Sequence, residues 1–294
     1  MSELFPGFIA QQVRTSGAEI HFETGGSGPP LLLLHGFPQT HSMWHKVAPA
    51  LAREFTVVCP DLRGYGDSSK PPSDETHAAY SKRAMANDMV ELMHALGFDR
   101  FRVAGHDRGA RVTHRLCADH PGAVERAAVL DISPTRLMYR QTDMEFARLY
   151  YHWFFLIQPF DLPERLIAAD PAYYLRRKTG GWGSSNSCFD PRAFAEYERC
   201  YCNPETIHAT CEDYRASATI DLAHDDVDVA AGRKIACPLL VLWGEKGVVH
   251  RCFDPLGDWR TVAADVRGQA LPSGHYLAEE VPEETLRELR RFFV

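Results

Sequence analysis

Five short apolar runs constrain this chain more than any other feature. They are Leu31 to Gly36 (LLLLHG), Phe55 to Asp61 (FTVVCPD), Phe101 to Asp107 (FRVAGHD), Arg126 to Ser133 (RAAVLDIS) and Cys237 to Gly244 (CPLLVLWG). Each is apolar through its length rather than alternating, the pattern of parallel strands buried on both faces. Helical patterns lie between them, notably Ser81 to Leu96, closed by Gly97, and Arg108 to His120. Strand and helix repeated in this order imply an α/β fold, a mostly parallel sheet with helices on both faces.

The rhythm breaks between about Pro134 and Tyr214, a stretch rich in aromatics (Tyr150, Tyr151, Trp153, Phe154, Phe155, Phe160) that lacks strand signals. Some 80 residues are too many for a structureless loop. The expected organisation is a core made of residues 1–134 and 215–294, with residues 135–214 inserted as a helical cap over the strand ends. Open α/β sheets bind their ligands there. Most of the cap aromatics are expected to form the cap's own core.

Charge removes whole classes of partner. With 32 Lys+Arg against 39 Asp+Glu the formal net charge is −7, and no basic run interrupts that balance. A nucleic-acid partner is therefore not expected. The apolar run at Pro29 to Leu34 is far short of the ~20 residues a spanning helix needs. The start MSELFPGFIA lacks the basic and apolar segments of a signal peptide, so a cytoplasmic location is expected. The eight cysteines form no C-x-x-C pair. They read as reduced, mostly buried thiols, with Cys200-x-Cys202 and Cys211 only a faint redox or metal suggestion.

The chemistry gathers at Gly105-His106-Asp107-Arg108-Gly109, between a strand and a helix. This is the small-x-nucleophile-x-small elbow, in which small flanks permit a strained turn that exposes the central side chain. The blander reading of Asp107 is a helix N-cap. Together with His35 to Pro38 (HGFP), Asp61 to Pro71 (DLRGYGDSSKP) and Ser273 to His275 (SGH), the elbow resembles the α/β-hydrolase fold over nearly the whole chain.

An aspartate at the elbow selects the reaction. A carboxylate attacking a saturated carbon leaves an ester that water can cleave, whereas a serine would leave an ether that water cannot. The carboxylate is already ionised near neutrality and needs no base for its attack. The second step does need one, and His275 stands where this fold carries its histidine. Its acidic partner is expected to be Asp131, closing the strand RAAVLD, in preference to Glu245 in the loop after Trp243-Gly244. Backbone N–H groups of Phe37 and Arg108 are the expected oxyanion donors.

Arg108 and Arg111 lie at i, i+3, on one helix face beside Asp107. They read either as partners of acidic loops or as a clamp for a substrate carboxylate. GHDRGAR, HGFPQT and the chain order resemble the fluoroacetate (haloacetate) dehalogenases. That resemblance implies that His152, Trp153 and Tyr214 hold the leaving halide. It further implies a small anionic organohalide as substrate, no metal or organic cofactor, and a homodimer, as is frequent among such relatives. An epoxide hydrolase is the nearest alternative, with Tyr151, Tyr173 or Tyr214 as the acid. A non-catalytic receptor for a small acid is the alternative of another class.

Overall fold

The computed structural model describes residues 4–294. One eight-stranded sheet carries the fold, built from β1 (Ile9–Arg14), β2 (Glu19–Gly25), β3 (Pro30–Leu34), β4 (Thr56–Pro60), β5 (Phe101–His106), β6 (Val124–Leu130), β7 (Leu239–Gly244) and β8 (Val266–Leu271). Their spatial order is β1-β2-β4-β3-β5-β6-β7-β8. The strands from β4 across to β8 are parallel, while β1–β2 and β2–β4 pair antiparallel. All five strands expected from apolar runs are present, within a few residues of their expected ends.

The strands without such runs are β1, β2 and β8. β1 (IAQQVR) and β8 (VRGQAL) lie at the sheet edges and leave most of their residues exposed or half-exposed. An edge strand need not be apolar on both faces, so a search for continuous apolar runs passes it by.

Chain order places the site. β3 is followed by β4 on one side, and the chain then crosses back to β5 on the other. The loops leaving the carboxyl ends of β3 and β5 therefore diverge and open a crevice, the usual ligand position in such sheets. Leu34 pairs with Gly105, so the HGFP loop and the Asp107 elbow emerge side by side.

Between β6 and β7 the described residues hold no strand. The helices there include Thr135–Arg140, Met144–Leu149, His152–Phe155, Leu162–Ala168, Pro171–Thr179, Pro191–Tyr201, Pro204–Ala218 and Ile220–Ala230. Residue 214, the expected end of the insertion, falls inside the helix Pro204–Ala218, and Ile220–Ala230 beyond it is helical as well. No helix among the described residues is long and apolar enough to cross a membrane.

The helix Lys82–Ala95 shows how local sequence sets its ends. The Ser81 side chain accepts a hydrogen bond from the Ala84 N–H at its start. Gly97 follows the last turn at φ +84°, a left-handed position that favours glycine.

Candidate active site

Asp107 occupies a strained turn between β5 and the helix Arg108–Asp119, with φ 45° and ψ −111°. The glycines around it are demanded by contact. A Cβ on Gly105 would lie 2.4 Å from the Gly109 carbonyl oxygen, and one on Gly109 would lie 2.4 Å from that of His35. The Asp107 side chain makes no capping bond to its helix. It stands at the N-cap position without capping the helix, and its strained backbone fits a residue held for function.

One carboxylate oxygen, Oδ1, accepts the Phe37 N–H at 3.0 Å. The Arg108 N–H is the first of the helix, where amides have no intrahelical partner and the dipole favours negative charge. Burial alone would push the Asp107 carboxyl up. His275, Arg111 and Arg108 outweigh it and hold the group below the usual carboxylate range. Asp107 is an anion in a water-poor crevice, only 4% exposed.

His275 is fully tied on one side and free on the other. Its Nδ1 meets Asp131 Oδ2 at 2.6 Å, while Nε2 is buried with no partner in the protein. Asp131 takes a positive φ of 53° at the end of β6, and its Oδ1 accepts the Gly244 N–H at 2.9 Å. Burial pushes His275 down, but the Asp131 carboxylate overcomes this and the net shift is upward. Glu245, the alternative acid, has an exposed side chain, and its backbone N–H bonds to the Leu271 carbonyl. The ring of His106 lies 4.6 Å from that of His275, and its Nε2 bonds to the His275 carbonyl at 2.8 Å, fixing the histidine loop.

The two arginines differ. Arg108 spends Nε and Nη2 on the Asp213 carboxylate, at 2.9 and 2.6 Å, with Ser217 as a further partner of Nη2. Asp213 also accepts from Lys82 and from the Tyr65 hydroxyl. Only Nη1 of Arg108 is left, buried and unpartnered. Arg111 has no carboxylate on its guanidinium. Its Nη1 donates to Thr135 Oγ1 at 2.8 Å, Nη2 lies 3.4 Å from Met138 Sδ, and Nε is buried without a partner. The acidic-partner reading thus holds for Arg108 and fails for Arg111.

Three residues of the helical stretch between β6 and β7 pack over the same place. His152, Trp153 and Tyr214 are buried, with His152 Nδ1, Trp153 Nε1 and the Tyr214 hydroxyl all lacking partners in the protein. The His152 and Tyr214 ring centroids are 5.6 Å apart, and those of Trp153 and Tyr214 6.5 Å. The Phe37 ring stacks on His152 at 5.8 Å, which brings the group to the residue whose N–H holds Asp107. The Arg108 guanidinium lies 4.1 Å over the Tyr214 ring, and that of Arg111 4.5 Å over the Trp153 ring.

Several residues of this cluster carry no signal in the sequence. Trp182 packs 4.8 Å from His152 and 5.1 Å from His275, and the Tyr150 hydroxyl lies 3.5 Å from His275 Nδ1. Lys178 is buried beside Tyr151, its ammonium 3.6 Å from the ring centroid, and burial brings its pKa down to about 7. An aromatic in a helical cap is ordinarily core, so only placement distinguishes these residues. Among the described residues, metal-like donor spacing occurs at His21, His41 and Asp61, and none of the residues above belongs to that group.

The chain is similar to known proteins over nearly its whole length. The family model for the alpha/beta hydrolase fold matches residues 29–249. A fluoroacetate dehalogenase of Burkholderia sp is 48% identical over 98% of this chain and 95% of its own length. A soluble epoxide hydrolase of Corynebacterium sp. (strain C12) is 36% identical, covering 96% of each chain. A crystal structure from Nostoc sp PCC 7120, of the alpha/beta hydrolase type, superimposes with a TM-score of 0.96 at 59% identity over 98% of both chains. With its elbow aspartate, its buried histidine and the family match over most of its length, the chain belongs to the alpha/beta hydrolase fold family.

Proposed function

We propose that this protein hydrolyses haloacetates, fluoroacetate among them, to glycolate and halide through an ester on Asp107. The observation that carries the reading is a set of six buried polar atoms without protein partners: Arg108 Nη1, Arg111 Nε, His152 Nδ1, Trp153 Nε1, Tyr214 OH and His275 Nε2. Each such atom costs about 1–3 kcal/mol if nothing meets it. A bound haloacetate would meet five of them, through its carboxylate at the arginines and its halogen at the cap donors, and His275 Nε2 would meet the hydrolytic water.

In the first step Asp107 attacks the α-carbon in line with the departing halide. The substrate carboxylate, anchored by Arg111 and the remaining nitrogen of Arg108, is held beside an anionic nucleophile. Two like charges ~4–5 Å apart repel by roughly 3–4 kcal/mol at an effective dielectric near 20. Arg111 lacks a carboxylate partner and is the cation available to offset this. His152, Trp153 and Tyr214 donate to the leaving halide, replacing its hydration in a dry pocket. In the second step His275, oriented by Asp131, takes a proton from water through Nε2. The hydroxide formed attacks the ester carbonyl, whose oxyanion sits on the Phe37 and Arg108 N–H groups.

The identity to the Burkholderia fluoroacetate dehalogenase exceeds that to the Corynebacterium epoxide hydrolase. The resemblance also supports treating residues 135–214 as the cap, residues 1–134 and 215–294 as the core, and the protein as a cytoplasmic homodimer without a resident cofactor. The deciding experiment is a single turnover of fluoroacetate in ¹⁸O-labelled water. Fluoride release with label first in the Asp107 carboxylate is the expected result. Label appearing first in glycolate refutes the ester route, and diol formation from epoxides without fluoride release refutes the dehalogenase reading.

A further inference from the structure

We propose that Cys117 and Cys237 are a thiol-oxidation site that closes to a reversible intramolecular disulfide. The two sulfurs lie 3.9 Å apart although the residues are 120 positions apart in the chain. Among the described residues no other two cysteines share such a contact. Cys200 turns its sulfur to Glu196, so the Cys200-x-Cys202 spacing gives no pair.

The partners differ in a way that suits exchange chemistry. Cys117 sits in the helix Arg108–Asp119 and is 3% exposed, whereas Cys237 lies just before β7 and is partly exposed. A groove of about 620 Å³ is lined by Cys117, Ala118, Ile235 and Ala236 among others, so it reaches Cys117 and the residue preceding Cys237. The Cys117 thiol, hydrogen-bonded to Cys237, lowers the Cys237 thiol from its ordinary value. The same contact, with burial, raises Cys117. Cys237 is therefore the more reachable of the two, a feature that selects an attacking cysteine.

With glutathione disulfide as oxidant, the Cys237 thiolate attacks one sulfur and expels a glutathione thiolate. Cys117 then gives up its proton to that thiolate and displaces the second glutathione from Cys237, which takes the proton lost at the start from Cys237. Two protein thiols are oxidised and one disulfide is reduced to two thiols. Closure asks the sulfurs to approach from 3.9 Å to about 2.05 Å, a movement of roughly 2 Å. The new bond would tie the helix carrying Arg108 and Arg111 to the strand whose end, Gly244, holds Asp131.

The test treats the folded, fully reduced protein with glutathione disulfide, then counts thiols in denaturant and maps the cross-linked peptides. Eight thiols are present before treatment. Two should disappear together, with the loss of two hydrogen masses and a peptide pair joined through Cys117 and Cys237, and dithiothreitol should restore them. Cys117→Ser should stop at a mixed disulfide of Cys237 with one glutathione. Cys237→Ser, at the more exposed position, should abolish the loss. Persistence of all eight thiols, loss from other cysteines, or an unchanged loss in Cys237→Ser overturns the proposal.

Discussion

Asp131 and His275 share a 2.6 Å contact at Nδ1 that leaves the opposite ring nitrogen buried and unpaired. An imidazole held this way can act in only one direction. The carboxylate fixes the tautomer with the proton on Nδ1 and would stabilise an imidazolium, which leaves Nε2 as the acceptor that the proposed mechanism uses as base.

This contact sets a pH dependence. His275 is shifted up by Asp131 against the effect of burial, and it works as a base only when neutral. Turnover limited by ester hydrolysis should therefore rise with pH and level off above the ordinary imidazole range. Asp131→Asn removes the cause of the shift, so the limb should move to lower pH while kcat falls by about 10²–10⁴-fold. Stability follows the same linkage. A group with a raised folded pKa contributes fully below its unfolded value and loses that contribution as pH rises through the folded one. A pH profile of kcat beside denaturation at matched pH checks both signs.

His275→Ala separates the two steps. Asp107 needs no base for its attack, so this variant should release halide equal to the enzyme present and then stall. Rapid-quench halide measurement, with intact mass spectrometry of the Asp107 ester, reads the outcome. Sustained multiple turnover would remove His275 from the base role.

The elbow, the histidine and its acid were legible in the sequence because each sits in a short local pattern on a buried strand or the turn after it. The edge strands β1 and β8 were not, since they need no continuous apolar run. Asp213 was missed for another reason. Its partners Arg108 and Lys82 are 105 and 131 positions away, and only the fold brings them together. Sequence spacing placed Arg108 and Arg111 on one helix face. It could not tell that Asp213 had claimed one fork and left the other cation without an acid.

That division predicts unequal roles for the arginines. Arg111→Met should lower kcat/KM for haloacetates by about 10²-fold or more, since roughly 3–4 kcal/mol of repulsion is then uncompensated. Arg111→Lys should recover part of this. For a neutral haloacetamide the loss should be far smaller, and the ratio between the two substrates is the quantity to measure.

The cap donors should matter in proportion to how poorly the halide leaves. A hydrogen bond to a charged group contributes ~1.5–3 kcal/mol, or roughly 10–150-fold in rate. Trp153→Phe and Tyr214→Phe should each cost that much with fluoroacetate and markedly less with bromoacetate, whose halide departs with weaker solvation. Equal losses for both substrates would mean that these side chains shape the pocket without donating to the halide.

Asp213 should be a point of failure for both fold and site. It is fully buried among Arg108 and Lys82, which hold its carboxyl well below the usual range against the cost of burial. Asp213→Asn leaves those two cations with Asp221, 3.5 Å from Lys82, as the remaining acid. Breaking a buried pair from one side typically costs about 3–5 kcal/mol, which urea denaturation would register. The stability that Asp213 contributes is present above the ordinary aspartate pKa and is lost as pH falls through its depressed one, so the deficit of the variant should shrink in acid. Adding Lys82→Met removes one of the two orphaned cations, and the double variant should regain part of the stability. It should not regain KM, because Arg108 would still lack the carboxylate that aims its free Nη1. Full recovery of both would mean that Asp213 serves only to neutralise Lys82.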